Sequence, residues 1–434
     1  MEIASLYHLF QQHPIVSTDS RNCPKGSIFF ALKGASFNGN AFASQALEAG
    51  CAYAVIDEET YAIPTDKRYI LVDNVLLTLQ QLAQYHRRHL GTRIIGITGT
   101  NGKTTTKELI AAVLKQTHEV LYTEGNLNNA IGVPLTLLRL KAEHDIAVIE
   151  MGASHPGDIK ELVEIAEPDF GIITNVGMAH LQGFGSFEGV VRTKGELFDY
   201  LRTRTESTVF INNDNTHLLD IAGELNLIRY GKPDSKANLR VSGEVIECSP
   251  FLKFRWRIGN STWNEVQTQL IGSYNIDNLL AAAAIGLYFG VNISQICNAL
   301  SLYTPKNNRS QLVQTSRNTL IVDAYNANPT SMKAAIDNFK EMKAERKMLI
   351  LGDMKELGEY SSEEHRRVVE MINNAGFDKI WLVGHQFEAT DSSYPTFHST
   401  EEVIKAIEQE SPTGYYILIK GSNSMKLASI ADYL

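Results

Sequence analysis

No stretch of this sequence is long and apolar enough to span a membrane, and Met1 to Phe10 carries no basic segment ahead of an apolar one. Neither a transmembrane helix nor an export signal is therefore expected. Cysteine is scarce: Cys23, Cys51, Cys248 and Cys297 lie far apart, with no C-x-x-C spacing. They read as buried free thiols in a reducing compartment, so a cytoplasmic, soluble protein is expected. A surplus of positive charge is also missing. Forty Lys and Arg against 49 Asp and Glu leave a formal net charge of −9, which argues against a general nucleic-acid binder. Anionic ligands would have to be held by local loops and single cations. Low-complexity tracts and short repeats are absent, and so is a G-x-G-x-x-G fingerprint, so no dinucleotide is implied.

What is present is ordinary globular composition, 44% hydrophobic and 21% charged, over 434 residues. That length is too great for one core, so two or three domains are expected. The chain is organised around residues 94–106. The apolar run Ile94-Ile95-Gly96-Ile97-Thr98 turns into Gly99-Thr100-Asn101-Gly102-Lys103-Thr104-Thr105, and helical spacing follows. Strand, glycine loop and helix is the arrangement that cradles a nucleoside triphosphate. Backbone N–H groups converge on phosphate oxygens, aided by the helix N-terminus. Lys103 would reach the β- and γ-phosphates and Thr104 would sit on Mg²⁺. The match departs from G-x-x-x-x-G-K-[ST], because Ile97 stands where the first glycine belongs and Gly99 follows two places later.

The fold expected is α/β in three parts. Residues 1–91 read as a small unit with helices over 2–12, 41–49 and 75–90 and strands over 27–32, 52–56 and 69–72. Residues 92–310 alternate strand and helix, which implies a parallel sheet covered on both faces. Within this part, residues 238–270 read as antiparallel hairpins at the sheet edge, and 276–288 as an alanine-rich helix. Residues 311–434 read as a Rossmann-like unit, with strands over 319–323, 347–351, 379–383 and 415–419 and helices starting at Ser331, Ser362, Thr400 and Ser424.

Several polar residues fall where parallel sheets place their sites, at the carboxyl ends of strands. Glu150 ends the run Ala147-Val148-Ile149, and His180 follows Thr174-Asn175-Val176-Gly177. Convergence of the two on one Mg²⁺ would follow if their strands share an edge. Taken alone, Glu150 could equally cap a helix, His180 could be structural, and Lys194 would pass for a solvated helix lysine. Ser20 and Arg21, like Lys33 and Gly34, lie in stretches that also suit simple turns.

The glycine loop resembles that of the Mur ligases and folylpolyglutamate synthases, ATP-dependent enzymes that join a carboxylate to an amine. Further motifs extend the likeness to the Mur ligases over the whole chain. The resemblance implies that Ser20, Arg21, Lys33 and Gly34 hold the UDP of the precursor, although Asn38 and Asn40 replace the usual Asp and His of that loop. Gly99, Thr100, Asn101, Gly102, Lys103, Thr104 and Thr105 would bind ATP, and Asn275 and Asn278 would approach the adenine, with Tyr274 in place of a usual His. Glu-Met-Gly at 150–152 and Asn-Val-Gly-x-x-His ending at His180 match motifs whose Glu and His bind Mg²⁺ beside Thr104. Lys194, in Lys-Gly-Glu-Leu-Phe, would be carbamylated by CO₂ and would ligate the metal as an anion. Asn128 and Asn129 would lie near the reacting carboxylate. Arg309, after Asn307 and Asn308, would neutralise phosphate from the domain junction.

The segment Asp323-Ala324-Tyr325-Asn326-Ala327-Asn328-Pro329 resembles the branch of the family that adds D-alanyl-D-alanine. There Asp323, Tyr325 and Asn326 would serve the nucleotide, and Asn328, Lys420 and Ser422 the substrate. The implied activity joins D-Ala-D-Ala to UDP-MurNAc-tripeptide through an acyl phosphate in peptidoglycan precursor synthesis, with Lys103, Lys194, Glu150, His180 and Arg309 catalytic and a monomer as the working unit. Two rivals stay open: a relative that adds a diamino acid or glutamate, and a P-loop module without catalysis.

Overall fold

The structure, a computed structural model, describes residues 2–234, 237–305, 309–373 and 375–434. Asn307 and Asn308 of the junction motif lie outside the described residues. Three sheets carry the chain. The first contains β1 (Val16–Ser17), β2 (Ile28–Phe30), β3 (Tyr53–Ile56) and β4 (Tyr69–Leu71), all parallel in that order. Helix Val75–Leu90 closes this unit. Asn74 caps its start, and Gly91 ends it in the left-handed region at φ 66°.

That helix also joins the first unit to the second. Its Leu79, Leu82 and Ala83 share one apolar core with Leu137, Leu162 and Val163. Its polar side chains reach across as well. Arg87 donates to Ala166 O at 3.2 Å and Glu167 O at 2.6 Å, and Gln80 donates to Glu161 Oε1 at 2.8 Å.

The second sheet has nine strands: β5 (Arg93–Thr98), β6 (Val120–Tyr122), β7 (Ile146–Glu150), β8 (Phe170–Ile173), β9 (Thr208–Asn212), β10 (Leu227–Gly231), β11 (Val241–Cys248), β12 (Phe251–Ile258) and β13 (Asn264–Ile271). Their order is β13-β12-β11-β10-β9-β8-β5-β7-β6. From β6 to β11 the pairings are parallel, and β11–β12–β13 are antiparallel at the edge, where alternation was legible in the sequence. β5 and β7 are buried on both faces, as apolar β-branched runs in a covered parallel sheet require.

The third sheet orders β14 (Gln311–Gln314), β15 (Thr319–Asp323), β16 (Lys347–Gly352), β17 (Lys379–Val383), β18 (Thr396–Phe397) and β19 (Tyr416–Lys420) as β14-β15-β19-β16-β17-β18. Only β14 runs antiparallel.

Some local expectations fail. The helix expected from Ser424 is a pair of 3-10 turns, Asn423–Met425 and Leu427–Tyr433, interrupted by Lys426 at φ 58°, which an α-helix cannot accommodate. Residues 41–49 divide into a 3-10 turn, Gly39–Phe42, and a shorter helix, Ala43–Glu48. β10, β14 and helix Ile293–Leu302 had no expectation.

Candidate functional site

Register places the chemistry. Ile97 pairs with Glu150 and Thr98 with Ile173, so the glycine loop, Glu150 and the segment leading to His180 leave one edge of the second sheet together. In the third sheet Asp323 pairs with Lys420, again at the strands' carboxyl ends. Both edges face one cavity of about 690 Å³, whose lining includes Lys103, Glu150, His180, Arg309, Tyr325 and Lys420.

The loop is shaped by two glycines. Gly99, at φ 143°, lies so close to Thr174 that a Cβ would stand 2.0 Å from its Oγ1; at Gly102, φ 78°, a Cβ would stand 2.8 Å from Asn278 Oδ1. No side chain caps helix Lys103–Leu114, so its first N–H groups stay available to phosphate oxygens. Lys103 Nζ donates to Gly99 O at 2.9 Å and Thr100 O at 3.1 Å, folding over its own loop. Burial pulls its pKa below the ordinary lysine value, and Arg309 nearby adds to this while Glu150 opposes it.

Glu150 is 2% exposed and held from three sides. Thr104 Oγ1 donates to its Oε2 at 2.9 Å, Asn128 Nδ2 donates to Oε1 at 2.9 Å, and Lys107 Nζ stands 3.7 Å from Oε2. Lys107, 1% exposed, was missed in the sequence because a lysine one turn after Lys103 reads as solvated. Its i, i+4 spacing from Lys103 was the available signal.

His180 adopts a left-handed backbone at φ 50°, and its Nδ1 faces the carboxylate of Glu356 from the third unit. Burial lowers its pKa despite that carboxylate. Glu356 was also missed, since only the tertiary fold brings it to His180. Lys194 lies on the buried stripe of helix Phe187–Arg202 with Val190, Leu197 and Phe198. It is 2% exposed, and burial holds its pKa well below the usual range, with the charge of Lys103 acting in the same direction. Its Nζ donates to Ala153 O at 3.4 Å and lies 5.3 Å from the centroid of the Phe184 ring.

The junction is built from amides and rings. Asn328 Nδ2 donates to Asn101 Oδ1 at 2.8 Å while its own Oδ1 caps helix Pro329–Glu341. Asn278 accepts from Thr106 Oγ1 at 2.9 Å and donates to Asn275 Oδ1 at 2.8 Å. Arg309 lies over the Tyr325 ring, 3.9 Å from its centroid, and its buried Nε has no hydrogen-bond partner among the described residues. Lys420 Nζ donates to Asp323 Oδ2 at 2.7 Å and Asn326 O at 3.2 Å. Tyr274 Oη pairs with Ser310 Oγ at 2.8 Å, and Ser310 N donates to Asp323 Oδ1 at 3.2 Å.

Some expected site residues already have local partners. Asn129 Oδ1 accepts from Gly132 N at 2.9 Å at the start of helix Gly132–Leu137, and Ser422 Oγ accepts from Lys355 N at 3.0 Å. Ser20, Arg21, Lys33 and Gly34 are not in the lining of this cavity. Arg21 is exposed and forked onto Asp19, and Lys33 is paired with Asp57 at 2.9 Å and Glu58 at 2.7 Å.

Asp277, in the first turn of helix Ile276–Tyr288, also lines the cavity. Burial, with Asp214 adding repulsion, pushes its carboxyl up to about 6. Its unfolded value is about 3.9, so folding binds a proton between these values and stability falls as pH rises through that window. Asp277→Asn is expected to melt higher than wild type at pH 8, with the difference shrinking toward pH 4. Thermal melts across that range check it, and a pH-independent difference would contradict the assignment.

Comparison with known proteins agrees with this geometry. Family models match in three segments: "Mur ligase family, catalytic domain" at residues 14–87, "Mur ligase middle domain" at 97–286, and "Mur ligase, glutamate ligase domain" at 308–423. The UDP-N-acetylmuramoyl-tripeptide–D-alanyl-D-alanine ligase of Bacillus subtilis (strain 168) is 36% identical, over 96% of this chain and 92% of that protein. Its counterpart from Escherichia coli (strain K12) is 35% identical, over 96% and 93%. Among solved structures, MurF of Acinetobacter baumannii superposes with a TM-score of 0.86 at 30% identity, over 96% of this chain and 92% of that one. MurF ligase of Thermotoga maritima in complex with ADP gives 0.85 at 25% identity, over 96% of each.

Proposed function

This chain belongs to the Mur ligase family, and on that premise we propose how its cavity works: it joins D-alanyl-D-alanine to UDP-N-acetylmuramoyl-tripeptide, driven by ATP, in peptidoglycan precursor synthesis. The observation that carries this reading is the single cavity lined jointly by the glycine loop and Glu150 from one sheet and by Arg309, Tyr325 and Lys420 at the other. A carboxylate is a poor electrophile at neutral pH. An oxygen of the tripeptide's terminal carboxylate attacks the γ-phosphorus of ATP, and ADP leaves. The dipeptide amine then attacks the acyl phosphate carbon, loses its proton, and phosphate departs as the amide forms.

The loop N–H groups and Lys103 offset charge on the transferred phosphoryl, and Arg309 approaches it from the junction. Residues 1–91 take the uridine nucleotide through Ser20, Arg21, Lys33 and Gly34, residues 92–310 take ATP, and residues 311–434 deliver the dipeptide and exclude water. A nucleotide phosphate at Lys33 would have to compete with Asp57 and Glu58. A monomer is proposed as the working unit, because the glycine loop, Glu150, Arg309 and Lys420 meet in one cavity of one chain. Among the described residues no helix is long and apolar enough to cross a membrane; a cytoplasmic location is proposed because all four cysteines are free thiols, as a reducing compartment would keep them.

The donor set fits Mg²⁺: a buried carboxylate, Glu150, with the Thr104 hydroxyl against it, both hard oxygen ligands. Glu150, Thr104, His180 and carbamylated Lys194 would hold the ion, which when bound would neutralise phosphate charge and polarise the phosphoryl group. Glu150→Ala and His180→Ala are each expected to raise the Mg²⁺ concentration needed for half-maximal rate. An unchanged Mg²⁺ titration in both variants would remove them from the metal shell. The reading as a whole is tested by ADP release with UDP-MurNAc-tripeptide and D-Ala-D-Ala, each omitted in turn. Release that ignores the dipeptide, or responds only to a diamino acid, would overturn it.

A further inference from the structure

A group of metal-ligating side chains lies apart from this cavity, in the third unit. His385 and Glu388 stand three residues apart on the short helix His385–Glu388, and His398 follows β18. None of the three lines the cavity. Glu388 Oε2 lies 3.1 Å from His398 Nδ1 and 3.4 Å from His385 Nδ1, and the three donor atoms all lie within 4.8 Å of one another. Among the described residues no other group of three or more His, Cys, Asp or Glu side chains brings its donor atoms this close.

These spacings carry information. A tetrahedral zinc ion with ligands at about 2.0–2.1 Å separates them by about 3.3 Å along each edge. Two of the three edges already have that length. The third, between the two imidazoles, is no longer than 4.8 Å, and all three side chains are exposed, so rotation there meets little resistance. The backbone beneath them is fixed. β17 and β18 pair in parallel, Val383 with Phe397, and Gly384 N donates to Phe397 O at 2.8 Å. Buried Asp353 accepts from Gln386 N at 3.2 Å and Phe387 N at 3.1 Å, anchoring the turn that carries His385 and Glu388. His398 N donates to Glu402 Oε2 at 2.8 Å, which anchors the other side.

We propose that His385, Glu388 and His398 form a surface site for one divalent transition-metal ion of the zinc class, with water completing the shell. Two imidazoles with one carboxylate select such ions over Mg²⁺ and Ca²⁺, which prefer oxygen alone. The ion would tie helix His385–Glu388 to the segment entering helix Thr400–Glu410, so binding would stabilise the third unit by linkage.

The test uses the full chain with excess Mg²⁺ present, so that oxygen-ligand sites are occupied. Zn²⁺ is titrated by calorimetry, and Co²⁺ by visible absorption. Wild type is expected to bind one Zn²⁺ per chain at micromolar concentration and to give the intense Co²⁺ bands of a four- or five-coordinate ion. Glu388→Gln and His398→Ala are each expected to weaken binding about tenfold or more, with the zinc-free ligation rate unchanged. Equal zinc affinity and stoichiometry in wild type and both variants would overturn the site. Binding only at millimolar Zn²⁺ would do the same, leaving the three side chains as a hydrogen-bonded cluster.

Discussion

Lys103→Ala is expected to lose ligation by on the order of 10²–10³ or more in kcat, the scale on which a single preorganised charge or donor at a developing anion acts. Among the described residues its ammonium has no ion-pair partner and donates to the carbonyls of Gly99 and Thr100. Burial and Arg309 both disfavour its charge. A bound triphosphate would supply the missing counter-charge, and the lysine would leave two carbonyls that the loop can spare. The fold should survive. The two lost hydrogen bonds are worth roughly 1 kcal/mol each, and the loop's shape rests on Gly99, Gly102 and the Asn101–Asn175 contact, where Asn175 Oδ1 accepts from Asn101 N at 3.0 Å. The measurement is ADP release at saturating ATP alongside a thermal melt. Normal turnover with an unchanged melt would sink the assignment of the loop.

Lys194→Ala is expected to lose nearly all activity and to regain part of it with formate or acetate. The reasoning starts from burial. Lysines on helix faces extend to water, yet this one lies on the apolar stripe between Val190 and Leu197, with a pKa held well below the usual range. A neutral amine in that position can attack CO₂. Nitrogen gains a carboxyl group, a proton leaves, and a buried neutral amine becomes an anion with two oxygens. The charge of Lys103 disfavours a cation at Lys194, and a cation there would in turn disfavour one on His180, so an anion is the better neighbour. Short acids placed in the vacated space would restore the charge and the oxygens. A lysine acting as a cation predicts the reverse, rescue by small amines alone, and that outcome or full activity of the variant would end the carbamate proposal.

The three-unit α/β organisation and the glycine loop were legible because their signals are local. Apolar β-branched runs alternate with helical spacing, and Gly99 to Thr105 stands at one such switch. The edge hairpins β11–β13 were legible for the same reason, since one-sided burial forces alternation. What depends on long-range packing was not. Lys107 and Glu356 meet Glu150 and His180 only after distant segments come together. The end of the chain misled because Ser424 onward has helical composition, while the backbone at Lys426 breaks any helix. The turn that Asn129 closes onto Ile131 N and Gly132 N, and the cap that Asn328 forms, show how a turn residue and a site residue share one signature, because a short polar side chain serves both.

The borders between units are less separable than the sheets suggest, and this bears on recombination. Ile271, at the end of β13, belongs to the apolar core built around Met332, Ile336 and Phe339 of the third unit, with Phe251 of β12 packed against it. Helix Val75–Leu90 likewise keeps Arg87 buried against the carbonyls of Ala166 and Glu167. A chimera joined at residue 91 or 310 would set a relative's side chains against the core that Ile271 and Phe251 complete, and against helix Val75–Leu90. Exchange among relatives would therefore need matched side chains on both sides of each seam, because helix Val75–Leu90 packs on Tyr7 and Phe10 as well as on Leu162, and the edge hairpin sends Phe254 and Trp256 into the core of the second unit.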